Sequence, residues 1–299
     1  MSSASGEGLA VRYLIVGGSG YIGTAVQQVL LKRGDEVLVV SRGGRALPGA
    51  VGVARDLVRD DVTDLMREID GVLNLVGIIR EQPASGITYQ ALHVQVTKQV
   101  GNAALAAGVP RFVQMSALGA SAAGGSRYFE TKWQAEAWLR ERWPTATIVR
   151  PSLVFGGHAE FFATLAGLIR QPVVPVPGDG HALFDPVYLS DVATLLAALL
   201  TASPDDQDVR GQVYEVGGPV RMSLDGLIDW MADALGRASP VPKVHIPMRL
   251  MRSMVRVGEH MPAFPVTSDQ LRMLTIANIT DDVRWHRWVP NPTPPGHDW

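Results

Sequence analysis

The sequence predicts an α/β fold, a doubly wound parallel sheet with a smaller C-terminal α/β lobe. Three observations carry that expectation. From residue 11 onward, apolar strand-like runs alternate with helical stretches, the pattern of a parallel sheet covered on both faces. The first run, Tyr13-Leu14-Ile15-Val16, leads directly into a glycine-rich turn, Gly17-Gly18-Ser19-Gly20-Tyr21-Ile22-Gly23. Past Pro151 the composition shifts, with a Pro/Gly-rich crossing at residues 171–180 followed by short helical stretches.

The elements follow in order. Strand one is Arg12–Val16; helix one runs about Tyr21–Lys32 and ends at Gly34; Glu36–Val40 is apolar enough for a buried second strand. A short helix follows Asp61-Val62-Thr63-Asp64, and Gly71–Val76 is the fourth strand. A helix starting near Ile87 closes at Asn102–Ala107, and Arg111–Ser116 is the fifth strand. The next helix, about Arg127–Arg142, is stopped by Pro144, and strand six, Ala146–Arg150, is ended by Pro151. One further strand is expected at Gln212–Gly217, within the smaller lobe. The expected division is a disordered tail at 1–10, a nucleotide-binding domain at 11–155 and a smaller substrate or partner lobe at 156–299.

Composition narrows the function classes. A chain of 299 residues is long enough for a sizeable core. With 27 Lys and Arg against 29 Asp and Glu and no basic tract interleaved with aromatics, nucleic acid is not an expected partner. The absence of cysteine excludes disulfides, thiolate metal sites and cysteine nucleophiles, and fits a cytoplasmic protein. No HxxxH or HExxH spacing occurs, so no metal is expected, and Tyr21 stands where a GxSxG motif around Ser19 would need its second glycine. Met1–Gly8 lacks the apolar core of a signal peptide, and the longest apolar segments, Phe161–Ile169 and Val192–Leu200, are far short of the roughly 20 residues a membrane crossing needs.

A strand feeding a glycine turn that opens a helix puts backbone N–H groups at a positive helix end, with no Cβ to block a pyrophosphate. Gly17/Gly20/Gly23 and Gly18/Gly20/Gly23 give two overlapping spacings, which leave the subclass of nucleotide fold open. The end of strand two meets the adenosine ribose in such units, where an acid accepts the NAD 2′-hydroxyl and an arginine pairs with the NADP 2′-phosphate. Here Ser41-Arg42-Gly43-Gly44-Arg45 offers no acid, so Ser41, Arg42 and Arg45 favour NADP(H) over NAD(H); two solvated loop arginines are the alternative. Asp61-Val62 suits either an adenine contact or a turn with a helix cap, and Val76-Gly77 either a close cofactor approach or ordinary strand punctuation.

Tyr128 and Lys132 stand four apart on one helix face. A phenol with a pKa of about 10 is a poor acid or base at neutral pH, and a nearby ammonium lowers it. Together with the upstream turn and the Ser116 segment, this pair makes a joint signal that neither makes alone.

These motifs resemble the short-chain dehydrogenase/reductase superfamily, in its extended or atypical, epimerase/dehydratase-like branch with a Rossmann-like fold. The resemblance covers roughly residues 11–235 and rests on the glycine turn, Asp61-Val62, Asn74-Leu75-Val76-Gly77, Met115-Ser116-Ala117-Leu118-Gly119, Tyr128-Phe129-Glu130-Thr131-Lys132, Arg150–Gly156 and Val187–Ala193. Within it the chain is similar to the group of the NADPH-binding accessory subunit of respiratory complex I, through Asn74–Glu81, Met115–Gly119 and Asp269-Gln270-Leu271. The resemblance implies Tyr128 as acid/base, Lys132 on the nicotinamide ribose, and Arg150–Val154, including Pro151, Leu153 and Val154, along the nicotinamide. The family's substrate-orienting hydroxyl falls at Ala117, leaving Ser116, Ser121 or Ser126 as substitutes, and His93 stands where the branch has asparagine. That histidine reads either as a proton carrier or as a helix residue bonded to backbone.

In the variable lobe, Phe155, Phe161, Phe162, His181, Phe184 and Tyr188 lie on segments that the resemblance implies surround the substrate cleft, which suggests aromatic walls, with most of them expected in the core. Arg249, Arg252 and Arg256 fall opposite Leu250, Met251, Met254 and Val255, so 248–258 is a cationic amphipathic helix. It suits an anionic membrane surface, association with a complex or the cap of an acidic-substrate site, or else a solvated face over a core contact. Trp285, Trp288 and Trp299 are candidates to anchor the tail. Two functions follow: an NADP(H)-dependent oxidoreductase acting on a carbonyl or alcohol, or a non-catalytic NADP(H)-binding subunit of a larger assembly, cytoplasmic or peripheral to the inner face of a membrane.

Overall fold

The computed structural model describes residues 11–157, 159–259 and 266–296; the expected N-terminal tail and Trp299 lie outside them. Its elements are β1 (Arg12–Val16), α1 (Tyr21–Arg33), β2 (Glu36–Ser41), β3 (Val51–Ala54), β4 (Gly71–Asn74), α2 (Val96–Ala106), β5 (Phe112–Met115), α3 (Arg127–Arg142), β6 (Thr147–Pro151), β7 (Val154–Phe155), α4 (Glu160–Ile169) and β8 (Val174–Pro177). They continue through β9 (Leu183–Phe184), β10 (Val187–Tyr188), α5 (Leu189–Thr201), β11 (Val213–Val216), β12 (Met222–Ser223), α6 (Leu224–Ala234), β13 (Lys243–Ile246), α7 (Met248–Gly258) and α8 (Ser268–Met273).

The fold is the doubly wound parallel α/β type that the alternation predicts. Seven parallel strands lie in the order β11-β6-β5-β4-β1-β2-β3, so the order reverses between β1 and β4. The crevice outside the carboxyl ends of strands at such a reversal is where ligands bind in this architecture. One face of the sheet buries Ile15, Leu73 and Val149 under α1 and α5, and the other buries Leu14, Val72 and Phe112 under α2 and α3. A third core, with Phe155, Phe162, Leu227 and Met231, fills the space among α4, β8 and α6.

Local chemistry explains the element ends. Gly34 takes a left-handed φ of 86° and donates back to Leu30 and Leu31, closing α1 as only a residue without Cβ does at no cost. The strand expected at Gln212–Gly217 forms as β11, but it pairs with β6 at the edge of the large sheet rather than within a lobe of its own. Its apolar residues Tyr214 and Val216 are buried against the same core as β1, which explains the placement. The helix expected from Ile87 instead begins as a π-type turn at Gln90–Gln95 and becomes α-helical at Val96. Trp285 is fully buried in the core under α5, and Trp288 packs edge-on against Tyr214, so both hold the tail to the body.

Candidate functional site

At the β1–β4 reversal, the glycine turn uses its glycines for different reasons. Gly17 adopts φ +77°, and Cβ atoms at Gly18 or Gly23 would meet Val39 at 2.9 Å or the Gly18 carbonyl at 2.3 Å, so these three bring α1 close onto the strands. Gly20 differs: a Cβ there would find nothing nearer than 3.7 Å, and the residue lines a large cavity with Ser19, Tyr21 and Ile22. Gly20 is also the N-cap of α1 with no side-chain cap and no acid in the first turn. An uncapped helix start facing open space suits an anionic ligand. These residues fit a dinucleotide pyrophosphate.

The cavity, about 1120 Å³, collects most of the sequence-predicted residues of the nicotinamide end: Gly77, Ser116, Tyr128, Lys132, Pro151, Leu153 and Val154. It does not extend to Ser41, Arg42, Asp61, Val62 or Val76. Arg42 is exposed and makes no ion pair among the described residues, while the Ser41 hydroxyl beside it is buried without a partner. Asp61 realises the turn-and-cap alternative, its Oδ1 accepting from the Thr63 N–H at 3.0 Å and hydroxyl at 2.7 Å, which holds its carboxyl below the usual range. Val62 is 1 % exposed and packs in the core, and Val76 packs against Gly17.

Lys132 is 4 % exposed, its ammonium 3.4 Å from the Met115 carbonyl and 5.9 Å from the centre of the Tyr128 ring. Burial lowers its pKa to about 8, against a smaller opposing effect of Glu136. The expectation that this lysine draws the tyrosine down is not met. Desolvation pushes the Tyr128 hydroxyl above its ordinary value, with Tyr21 adding to the rise, because nothing in the protein alone offsets the loss of water around the phenol.

Ser116 lines the cavity, but its Oγ donates to the Glu136 carboxylate at 2.5 Å. Glu136 is wholly buried and also receives Arg150 at 2.9 and 2.6 Å and Arg140 at 2.9 Å. Arg150 is therefore turned into this network and does not line the cavity, contrary to the nicotinamide-side placement expected of it; its neighbours Pro151–Val154 do. Ser121 and Ser126 are absent from the lining, Ser126 being the N-cap of α3 and accepting from Phe129 N–H. The Ala117 methyl remains at the position of the expected hydroxyl.

His93 is the backbone-bonded histidine of the two alternatives. Its Nδ1 lies 2.9 Å from Thr131 Oγ1, and its Nε2 lies 3.2 Å from both the N–H and the carbonyl of Ile78. Burial, reinforced by the Lys132 ammonium, holds its pKa well below 6.5.

Two residues escaped the sequence reading of the site. Glu136, four residues past Lys132, anchors Ser116. Asp269 from α8 accepts from the Arg127 and Tyr128 N–H groups at 2.8 and 3.1 Å, so a distant carboxylate caps the helix carrying the tyrosine. The available signal was the set of unpaired N–H groups that every helix start presents. Of the proposed cleft residues, Phe161, Phe162 and Phe184 line the cavity, whereas Phe155 and Tyr188 pack against each other and His181 is exposed. On α7 the arginines are exposed, yet only Val255 and Gly258 are buried; Leu250, Met254 and Val257 are also exposed, so the apolar face is only partly covered. No helix among the described residues is long and apolar enough to cross a membrane.

A family model described as the NAD dependent epimerase/dehydratase family matches residues 13–217. The mitochondrial NADH dehydrogenase (ubiquinone) 1 alpha subcomplex subunit 9 of Arabidopsis thaliana is 28 % identical over 290 residues, 90 % of this chain and 70 % of that protein. The subunit of the same name from Mus musculus is 28 % identical over 231 residues, 73 % of this chain and 59 % of its own length, so this chain spans less than two thirds of it. A nucleoside-diphosphate-sugar epimerase from Staphylococcus aureus superposes with a TM-score of 0.73 at 14 % identity, covering 95 % of this chain and 98 % of that one, a likeness of fold.

Proposed function

This chain belongs to the NAD dependent epimerase/dehydratase family, and from that premise we propose that it holds NADP(H) across the β1–β4 reversal and moves hydride to or from a carbonyl or alcohol carbon at Tyr128. The observation that carries the reading is the convergence of the uncapped α1 start, Gly77, Tyr128 and Lys132 on one cavity. Bound NADP(H) supplies or accepts hydride at its nicotinamide ring. The Gly20–Ile22 backbone binds the pyrophosphate, Arg42 and Ser41 bind the 2′-phosphate, and Lys132 donates to the nicotinamide ribose. Tyr128 carries the proton to or from the substrate oxygen, its neutral phenol, the form that burial favours, being the donor in the reducing direction.

A second reading is favoured by a specific observation. Ala117 offers no donor to a substrate carbonyl, and the neighbouring Ser116 hydroxyl is engaged by Glu136. On that reading the dinucleotide stabilises the fold by mass action, and the protein is a subunit of a respiratory-type assembly, as the two named relatives are.

Titration of the purified chain with NADPH and NADH, followed by turnover on aldehydes, ketones and quinones, separates the readings. Hydride transfer abolished by Tyr128→Phe with NADPH affinity intact supports the enzyme. Tight NADPH binding without turnover supports the subunit. Arg42→Ala is expected to weaken NADPH by at least about tenfold and NADH little, as loss of a charge-assisted phosphate contact does; equal losses reject the 2′-phosphate assignment.

A further inference from the structure

The cavity has two halves of different chemistry. The half beside Gly20, Tyr128 and Lys132 is that of the reading above. The far half is walled by α4, α6, β13 and α7, with Phe162, Leu165, Leu168, Ile228, Met251 and Met254 on its lining. Among the described residues, Lys132 is the only charged side chain on the entire lining. Gln270 and Asn278, polar lining residues toward the Tyr128 half, are engaged, Gln270 Oε1 accepting from Thr267 N–H at 2.9 Å and Asn278 Nδ2 donating to the Leu118 carbonyl at 2.8 Å; on the α4 side the polar lining residues are the uncharged Thr164 and Gln171. A diphosphate or polyhydroxyl ligand needs cationic or bidentate partners to replace its lost water. The described wall offers instead branched aliphatic groups and adaptable methionines, which gain free energy only by covering apolar surface.

Helix α7 carries this wall outward. Met254 lines the cavity and is also 47 % exposed, and it shares a helix strip with Leu250, 55 % exposed, and Val257, 77 % exposed. Spacings of i, i+4 and i+7 put the three on one side of the helix, so the apolar lining continues over α7 to the protein surface. Such an exposed strip costs solubility and is retained where apolar matter has to pass or dock.

We propose that the far half of the cavity binds an extended apolar chain, of acyl or prenyl type, admitted across the α7 lip. The proposal names the ligand class of the same cavity and rests on the cofactor reading only for which end faces the nicotinamide.

The test uses the full chain and dansylundecanoic acid as probe. The expected result is a saturable rise and blue shift in emission at one probe per chain, reversed by palmitate or farnesol and unaffected by UDP-glucose. Palmitate displacing where farnesol does not identifies the acyl class, and the converse the prenyl class. Met251→Glu, which puts a carboxylate on the wall, and Leu168→Trp, which fills it, are each expected to weaken the probe by at least about tenfold, with NADPH affinity and thermal midpoint unchanged. A titration that does not saturate, probe affinity unchanged in both variants, or displacement by UDP-glucose overturns the proposal. Should neither variant fold, competition among palmitate, farnesol and UDP-glucose on the wild type decides alone. Loss of NADPH binding with the probe still bound overturns the cofactor reading and leaves this one standing.

Discussion

The Ser116 hydroxyl donates to the Glu136 carboxylate at 2.5 Å, beneath the floor of the cavity rather than across it. Glu136 is itself wholly buried and held by Arg150 and Arg140. A hydroxyl so engaged serves the buried ion network. Ser116→Ala is accordingly expected to lower unfolding free energy by about 1–2 kcal/mol, measured by urea denaturation, and to leave NADPH affinity unchanged. A lost cofactor affinity at full stability would mean that Ser116 contacts the ligand after all.

Burial penalises the Lys132 ammonium in the fold, taking its pKa to about 8 from an ordinary 10.5. The unfolded chain therefore binds the extra proton between those values, and the penalty is complete below the lower one. Lys132→Met should raise the stability of the ligand-free protein near neutral pH by roughly 2–3 kcal/mol, and the gain should shrink as pH climbs from about 8 toward 10.5. The same variant should bind NADPH far more weakly. A destabilised variant would contradict the desolvation account.

His93, neutral and held between Ile78 and Thr131, has its folded pKa well below 6.5. The unfolded state takes up the proton first on acidification, so stability falls below that value. Between pH 7.5 and about pH 5 the wild type should lose stability through this residue, by at most about 2 kcal/mol, the limit that the unfolded pKa of 6.5 sets. His93→Gln should lack that part of the acid limb in paired denaturation curves at the two pH values. Parallel curves would assign the acid limb elsewhere.

The glycines of the turn make separable predictions. Gly23→Ala places a Cβ 2.3 Å from the Gly18 carbonyl and should cost on the order of 2–4 kcal/mol, since backbone cannot step aside cheaply. Gly20→Ala meets nothing within 3.7 Å in the protein and should leave the thermal midpoint alone while weakening NADPH, whose pyrophosphate needs that space. Calorimetry of both variants with and without NADPH checks the contrast.

The sheet and its first helix were legible because their determinants are local. Tyr13–Val16 is a continuous apolar run, Gly34 is a residue that ends a helix at positive φ, and Arg127–Arg142 is bounded by Ser126 and Pro144. Periodicity of 2 or 3.6 needs only near neighbours to be read. Tyr128 and Lys132 were likewise visible, because a spacing of four on one helix is a local fact.

What the sequence alone determined is therefore the alternation, the glycine turn and the family it signals, all written in contiguous residues. Only the tertiary structure decided which way side chains face when their partners come from distant segments: Ser116 to Glu136 on the next helix, Arg150 out of the cavity to the same carboxylate, Asp269 onto the start of α3, Gln212–Gly217 into the large sheet. It also decided that Leu250, Met254 and Val257 on α7 stay uncovered. Each depends on burial and hydrogen-bond satisfaction summed over elements far apart in the chain. Such sums have no value until the fold has closed.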